Sequence, residues 1–185
     1  MPESEQEICL ACGFCCDGTL FDNVNLRPGE RGTLPDLIEA NYMKPGEKEY
    51  FRLPCPYFNG KCTIYNKKKA EICSLYRCQL LMDFAKKAIS KEEALNIIHN
   101  VKILKKEITS LAGQIPGINE TMPFREILCK LFDLKEKFPG TPDQSIVVIK
   151  CNILDALLIK HFKSKNDFDK MTLSPEDNKL IALHS

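Results

Sequence analysis

Residues 9 to 16 read Cys9-Leu10-Ala11-Cys12-Gly13-Phe14-Cys15-Cys16, which places four thiols in eight consecutive positions. Four further cysteines follow at more open spacing: Cys55, Cys62, Cys73 and Cys78. The remaining two of the ten cysteines, Cys129 and Cys151, stand singly in a later segment with a different pattern. We therefore expect residues 1–78 to be organised around thiol chemistry and the later segment to be ordinary helical structure.

The overall charge gives little reason to expect a polyanionic partner. The 185 residues include 26 Lys and Arg against 25 Asp and Glu, and such a near-neutral balance provides no general attraction to nucleic acid or an anionic membrane. The basic run Lys67-Lys68-Lys69 is short, which favours a solvated face over a binding patch. We expect neither a nucleic acid nor a membrane as partner, and the sequence leaves a protein partner open.

The start of the sequence and its hydropathy favour a cytoplasmic protein. Residues 1–7 are acidic and lack the basic and apolar regions of a secretory signal. No window approaches the roughly 18 consecutive apolar residues that a membrane span needs. Because thiols stay reduced in the cytosol, a dense group of cysteines there holds metal more often than disulfides. A disulfide framework and a set of buried free cysteines are the less favoured alternatives.

The cysteine spacings favour a metal centre and leave the metal open. In Cys-x2-Cys, one tight turn can direct two sulfurs toward one ion. The repeated spacing of the first block, with the distant Cys55-Pro56, is similar to runs that bind iron–sulfur clusters, which we favour over zinc. Eight ligands would serve two zinc sites, or one site with spare thiols. The predicted ligands are Cys9, Cys12, Cys15, Cys16, Cys55, Cys62, Cys73 and Cys78.

Local signals predict how the chain carries these ligands. Asn59-Gly60 is typical of a hairpin turn, which would bring Cys55 and Cys62 together. Cys73 and Cys78 are five residues apart and would lie about 140° apart on a continuous helix, so we expect the helix to bend or end between them. A helical first block would leave Cys15 on a different face from Cys9, Cys12 and Cys16.

Residues 79–163 have the periodicity of helices. Ser90-Lys91-Glu92-Glu93 is a capping box that predicts a helix start, and further helices are expected after Met122-Pro123 and Thr141-Pro142-Asp143. The last of these helices would carry an inward seam of Val147, Cys151, Leu154 and Leu158. We predict a mainly α fold, in which a small irregular cysteine-rich metal-binding region (1–78) with a short hairpin packs against a helical bundle (79–163). Residues 164–185 are expected to form a polar tail.

The two later cysteines and the histidines are not predicted to be ligands. Cys151 falls on the apolar seam of its helix and is expected in the core, whereas Cys129 lies at the edge of an apolar face and is expected to be a free thiol. His99, His161 and His184 occur singly, without a neighbouring ligand pattern.

The cysteine pattern resembles a known family signature. Cys9-x2-Cys12-x2-Cys15-Cys16, then Cys55-Pro56, Gly60-Lys61-Cys62-Thr63-Ile64-Tyr65 and Cys73-x2-Tyr76-x-Cys78, is similar to the eight-cysteine signature of the YkgJ-type CxxCxxCC family of zinc- or iron-chelating proteins. The family usually has Arg-Pro after the Ile-Tyr pair, where this chain continues Asn66-Lys67-Lys68-Lys69. The resemblance implies a cysteine cluster that holds metal. Flagellin lysine methylases contain a similar domain.

Two classes of function follow from these patterns. The first is a metal-binding protein that holds an iron–sulfur cluster or zinc through the eight cysteines. The second is a redox or methyl-transfer enzyme, similar to the flagellin lysine methylases, that uses an iron–sulfur cluster. The sequence has no phosphate loop, dinucleotide fingerprint or other conventional catalytic motif. It therefore leaves open whether the protein is an enzyme.

Overall fold

The structure, a computed structural model, describes residues 3–137 and 142–163. The fold is mainly α, as the sequence predicted. The helices are α1 (Glu3–Cys12), α2 (Asp36–Ala40), α3 (Glu71–Leu75), α4 (Gln79–Ala85), α5 (Lys91–Ala112), α6 (Phe124–Lys137) and α7 (Pro142–His161). The predicted polar tail, 164–185, lies outside the described residues.

Among the described residues, the strands are short and belong to the cysteine-rich region. They are β1 (Asn23–Asn25), β2 (Tyr42–Met43), β3 (Tyr50–Arg52), β4 (Phe58–Asn59) and β5 (Lys61–Cys62). β3 lies between β1 and β2 in a three-stranded antiparallel sheet, where Phe51 stands opposite both Val24 and Tyr42. β4 and β5 form the predicted hairpin, with Gly60 at its turn. Phe51 belongs to a small apolar cluster with Leu34, Ile38, Ile64 and Ala70.

The large apolar core runs from the first cysteine block into the long helices. Ile8, Phe14 and Leu20 belong to the same buried cluster as the inward faces of α5, α6 and α7. The Phe14 and Phe162 rings meet edge to face, with centroids 5.1 Å apart. The predicted seam of α7 is confirmed, and Cys151 is buried within it. Cys129 is exposed. Apolar side chains before residue 79 and after it therefore share one interior.

In the part of the chain that the structure describes, no helix combines the length and the apolar character needed to cross a lipid bilayer. The longest described helix, α5, has exposed charged residues along its outer face, among them Lys102 and Lys106.

The predicted capping box at the start of α5 is confirmed. The Ser90 hydroxyl accepts a hydrogen bond from the Glu93 N–H at 3.1 Å, and the Glu93 carboxylate accepts from the Ser90 N–H at 2.6 Å. We expect Ser90→Ala to lower the free energy of unfolding by about 1 kcal/mol, because it leaves the Glu93 N–H without this acceptor. Chemical denaturation measures the loss. Ser110→Ala, on the exposed side of the same helix, is the control, and an equal effect of both changes would contradict the capping role.

Candidate functional site

The first cysteine block is part helix and part turn. Cys9 and Cys12 lie in the last turn of α1, which ends where Gly13 takes a left-handed φ of 76°. The N–H groups of Cys16 and Asp17 then donate to the Gly13 carbonyl at 2.8 and 2.9 Å. This turn carries Cys15 to the same side as Cys9 and Cys16. The alternative of a helical block with Cys15 facing elsewhere is therefore wrong.

Close contacts join the first block to the second. The Cys55 N–H donates to the Cys16 carbonyl at 2.7 Å. The Phe58 ring lies against Gly13 so closely that a Cβ at this glycine would come within 2.7 Å of a ring carbon. Gly13 is thus needed for two reasons, its left-handed backbone and the space occupied by the ring. The chain around residue 55 is held beside the thiols of the first block.

We expect Gly13→Ala to destabilise the protein more than Gly29→Ala. Both glycines have a positive φ, but Gly29 has no atom near the position of a Cβ. The left-handed conformation alone costs about 1–2 kcal/mol for a residue with a Cβ, and overpacking adds about 1–3 kcal/mol at Gly13. Denaturant unfolding of the two variants measures the difference. Equal losses at the two positions would show that the contact with Phe58 is not important.

The chain bends between Cys73 and Cys78, as the sequence predicted. α3 ends at Leu75, the next residue, Tyr76, is extended, and Cys78 has extended backbone angles as the residue that precedes α4. The Tyr76 hydroxyl donates to the Phe162 carbonyl at 2.6 Å, and its ring meets Phe21 edge to face. The bend is therefore attached both to the end of α7 and to the segment after the first block.

The eight predicted ligands come together around one small cavity. Its volume is about 100 Å³, and six cysteines line it: Cys9, Cys15, Cys16, Cys55, Cys62 and Cys73. The other two, Cys12 and Cys78, interact electrostatically with each other and with both Cys9 and Cys15. The Cys16 thiol donates a hydrogen bond to Cys62. Their role as metal ligands stays a prediction.

Burial keeps most of these thiols protonated in the absence of a cation. It raises the pKa of the Cys9, Cys15 and Cys55 thiols, and it raises the pKa of Cys78 to about 11. Cys62 is the exception, since the hydrogen bond from Cys16 lowers its pKa below the ordinary value. A metal that binds here has to displace protons from the thiols.

Tyr65 lines the cavity, and so does a lysine that sequence reasoning did not assign to the site. Lys69 is half-buried there, whereas its neighbours Lys67 and Lys68 are exposed. The prediction of a solvated run is therefore wrong for Lys69. Its ammonium donates to the Tyr65 carbonyl and lies 4.7 Å from the centroid of the Tyr65 ring. The Tyr65 hydroxyl hydrogen-bonds to Cys9. No local sequence signal distinguishes Lys69 from Lys67 and Lys68.

The described residues contain no compact set of metal ligands. Within residues 3–137 and 142–163, no three Cys, His, Asp or Glu side chains are grouped closely enough to hold a single metal ion. Cys73 is the exposed member of the eight, and the other seven are half-buried. Six of the eight cysteines line one small cavity, and Cys73 is the most exposed of them.

Comparisons of the chain with protein-family models, with curated proteins and with solved structures give no match. The resemblance to the YkgJ-type CxxCxxCC family therefore stays a prediction from the spacing of the cysteines.

Proposed function

We propose that this protein binds metal and holds an iron–sulfur cluster or zinc through its eight-cysteine cluster. The observation that supports this proposal is that six of the eight cysteines, from three separate segments, line one cavity of about 100 Å³, with Cys12 and Cys78 beside them. Buried free cysteines that serve only as small apolar residues do not need one another. Thiolates are the ligands of iron–sulfur clusters and of structural zinc.

We favour the iron–sulfur cluster over mononuclear zinc because of the cysteine spacing. The run Cys9-x2-Cys12-x2-Cys15, followed by the distant Cys55-Pro56, is similar to runs that bind such clusters. When bound, such a cluster would supply electron-transfer chemistry. Zinc would instead supply binding free energy to the fold.

The chain's own residues would hold and enclose the metal. The six cysteines that line the cavity are the nearest candidates, and Cys12 and Cys78 stand next to them. Apolar residues cover much of the rest of the wall, among them Phe21, Ile38 and Phe51. Such a wall limits the access of water, which stabilises a cluster against hydrolysis and sets the local dielectric.

The redox or methyl-transfer enzyme is less well supported than the metal-binding protein. Small-molecule sites usually occupy about 300–1,000 Å³, whereas the thiol cavity has about 100 Å³. We further propose a cytoplasmic location, since these thiols must stay reduced to bind metal. The expectation that no nucleic acid is bound remains a prediction.

Metal and sulfide analysis of anaerobically isolated protein tests the proposal. We expect bound iron with acid-labile sulfide and absorption near about 400 nm, which is the signature of a cluster. Stoichiometric zinc without sulfide would support the metal-binding function and overturn the choice of iron. Protein isolated anaerobically that contains neither metal, and that takes up neither on reconstitution, would contradict the proposed function.

Replacement of one enclosed thiol should separate ligands from other cysteines. We expect Cys15→Ser to lower metal affinity at least tenfold, since loss of a supporting residue near a metal already costs about 10–100-fold. Cys129→Ser is the matched control, because Cys129 is exposed and lies outside the cysteine group. Metal analysis after dialysis against a chelator measures the difference. Equal metal retention by the two variants would exclude Cys15 as a ligand.

A further inference from the structure

The wall of the thiol cavity contains one positively charged side chain among the described residues that line it, Lys69. The adjacent lysines of the same run, Lys67 and Lys68, are exposed to solvent. Other cations near the site have carboxylate partners: Arg77 pairs with Glu5 at 2.7 Å, and the Lys105 ammonium lies 2.8 Å from the Asp17 carboxylate. Lys69 therefore differs from Arg77 and Lys105, because its side chain lines the thiol cavity.

Two contacts hold Lys69 at the cavity. Its ammonium donates to the Tyr65 carbonyl and lies over the Tyr65 ring, 4.7 Å from the centroid. Tyr65 lines the same cavity, and its hydroxyl hydrogen-bonds to Cys9. The ammonium also interacts favourably with the thiolate forms of Cys9, Cys62 and Cys73. These three residues come from the three different segments of the cysteine cluster.

We propose that Lys69, held by Tyr65, is the charge-balancing residue of the thiol cavity and stabilises the anionic sulfurs that bind the metal. This inference rests on the proposed metal-binding function. Four thiolates bring four negative charges and Zn²⁺ returns only two, so a Cys₄ centre carries net negative charge. An iron–sulfur cluster with thiolate ligands is similarly sensitive to the net charge of its surroundings. A cation in a half-buried wall is screened less than one at the surface, so it stabilises such a centre more.

In this proposal Lys69 stabilises the metal through the sulfurs, so metal retention should depend on its charge and not only on its shape. The measurement is the chelator concentration that removes half of the bound metal from the full-length protein as isolated anaerobically. We expect this concentration to fall about tenfold in Lys69→Gln, a size that fits the loss of one charge near an anionic centre. Lys69→Arg should restore it to within about twofold, since the positive charge is kept.

Lys68→Gln is the matched control, because it removes the same charge from an exposed neighbour. It should leave metal retention unchanged. Lys69→Met keeps the apolar stem and gives a second neutral variant if Lys69→Gln does not fold. If the isolated protein contains iron and sulfide, the reduction potential of Lys69→Gln should fall below that of Lys68→Gln, because removing a positive charge disfavours the reduced, more negative cluster.

The outcomes separate this inference from the proposed function. If Lys69→Gln and Lys69→Met both retain as much metal as Lys68→Gln does, the charge-balancing role is overturned. The metal-binding function would still stand. If Lys69→Arg loses as much metal as Lys69→Gln does, the charge-balancing role is also overturned, because the variant that keeps the positive charge would then not retain the metal. Wild-type protein that holds no metal after anaerobic isolation, and takes up none on reconstitution, would overturn the proposed function and the inference together.

Discussion

Removal of the proposed metal is expected to loosen the loops between α1 and α4 and to lower the thermal midpoint of the protein by more than about 10 °C. Metal binding contributes about 10–16 kcal/mol in small zinc domains, as much as the whole stability of an ordinary domain. The small sheet and its five-residue apolar cluster offer little to replace it, because small regions seldom bury enough apolar surface on their own. Thermal unfolding before and after chelation, under reducing conditions, measures the change.

Limited proteolysis locates the effect along the chain. We expect new cleavage in the loops between α1 and α4 after chelation, with α5 still protected because its inward face belongs to the main core. Reconstitution with metal should restore the original pattern, which controls for oxidation of the thiols. An unchanged thermal midpoint and an unchanged proteolysis pattern after complete removal of metal would contradict a stabilising role for the metal.

Phe14→Ala is expected to lower the free energy of unfolding by about 3–5 kcal/mol. Phe14 is fully buried and meets the Phe162 ring at 5.1 Å. Loss of the ring would leave a cavity where the first cysteine block joins the helices. It would also remove the aromatic pair, which contributes about 0.5–1.5 kcal/mol beyond the free energy of burial. Chemical denaturation followed by circular dichroism measures the loss, with metal content determined on the same sample.

The control is Ile159→Ala, a truncation of an apolar side chain that is 53% exposed on α7. Its effect should stay within about 0.5 kcal/mol. If residues 1–78 and 79–163 share one interior, Phe14→Ala should shift a single transition. Two transitions, of which only the earlier one shifts, would show that the helices are stable without the cysteine-rich region.

Features that depend on neighbouring residues were predictable from the sequence. The hairpin at Asn59-Gly60 is set by the turn itself, and the start of α5 by the hydrogen bonds that Ser90 and Glu93 exchange over three residues. The seam of α7 follows from the period of its apolar residues. In each case the physical cause lies within one or two turns of chain, so the sequence pattern contains it.

Features that depend on distant segments were not predictable in this way. β3 is three residues long and is stabilised by partners on both sides, which no local pattern reveals. Lys69 has the same local sequence character as Lys67 and Lys68, and only the fold places it in the cavity wall. The direction of Cys15 likewise depends on the left-handed Gly13 and on the Phe58 ring beside it.

The hydrogen bond from Tyr76 to the Phe162 carbonyl has a consequence for how the protein is made. It joins residues 86 positions apart, and such long-range contacts form late and slow folding. During synthesis the eight cysteines leave the ribosome well before the end of α7 does, because chains emerge at about 5–20 residues per second. For several seconds the nascent thiols stand without the helices that complete their surroundings. The thiols are therefore open to oxidants, and to any metal that they bind, while translation is still in progress.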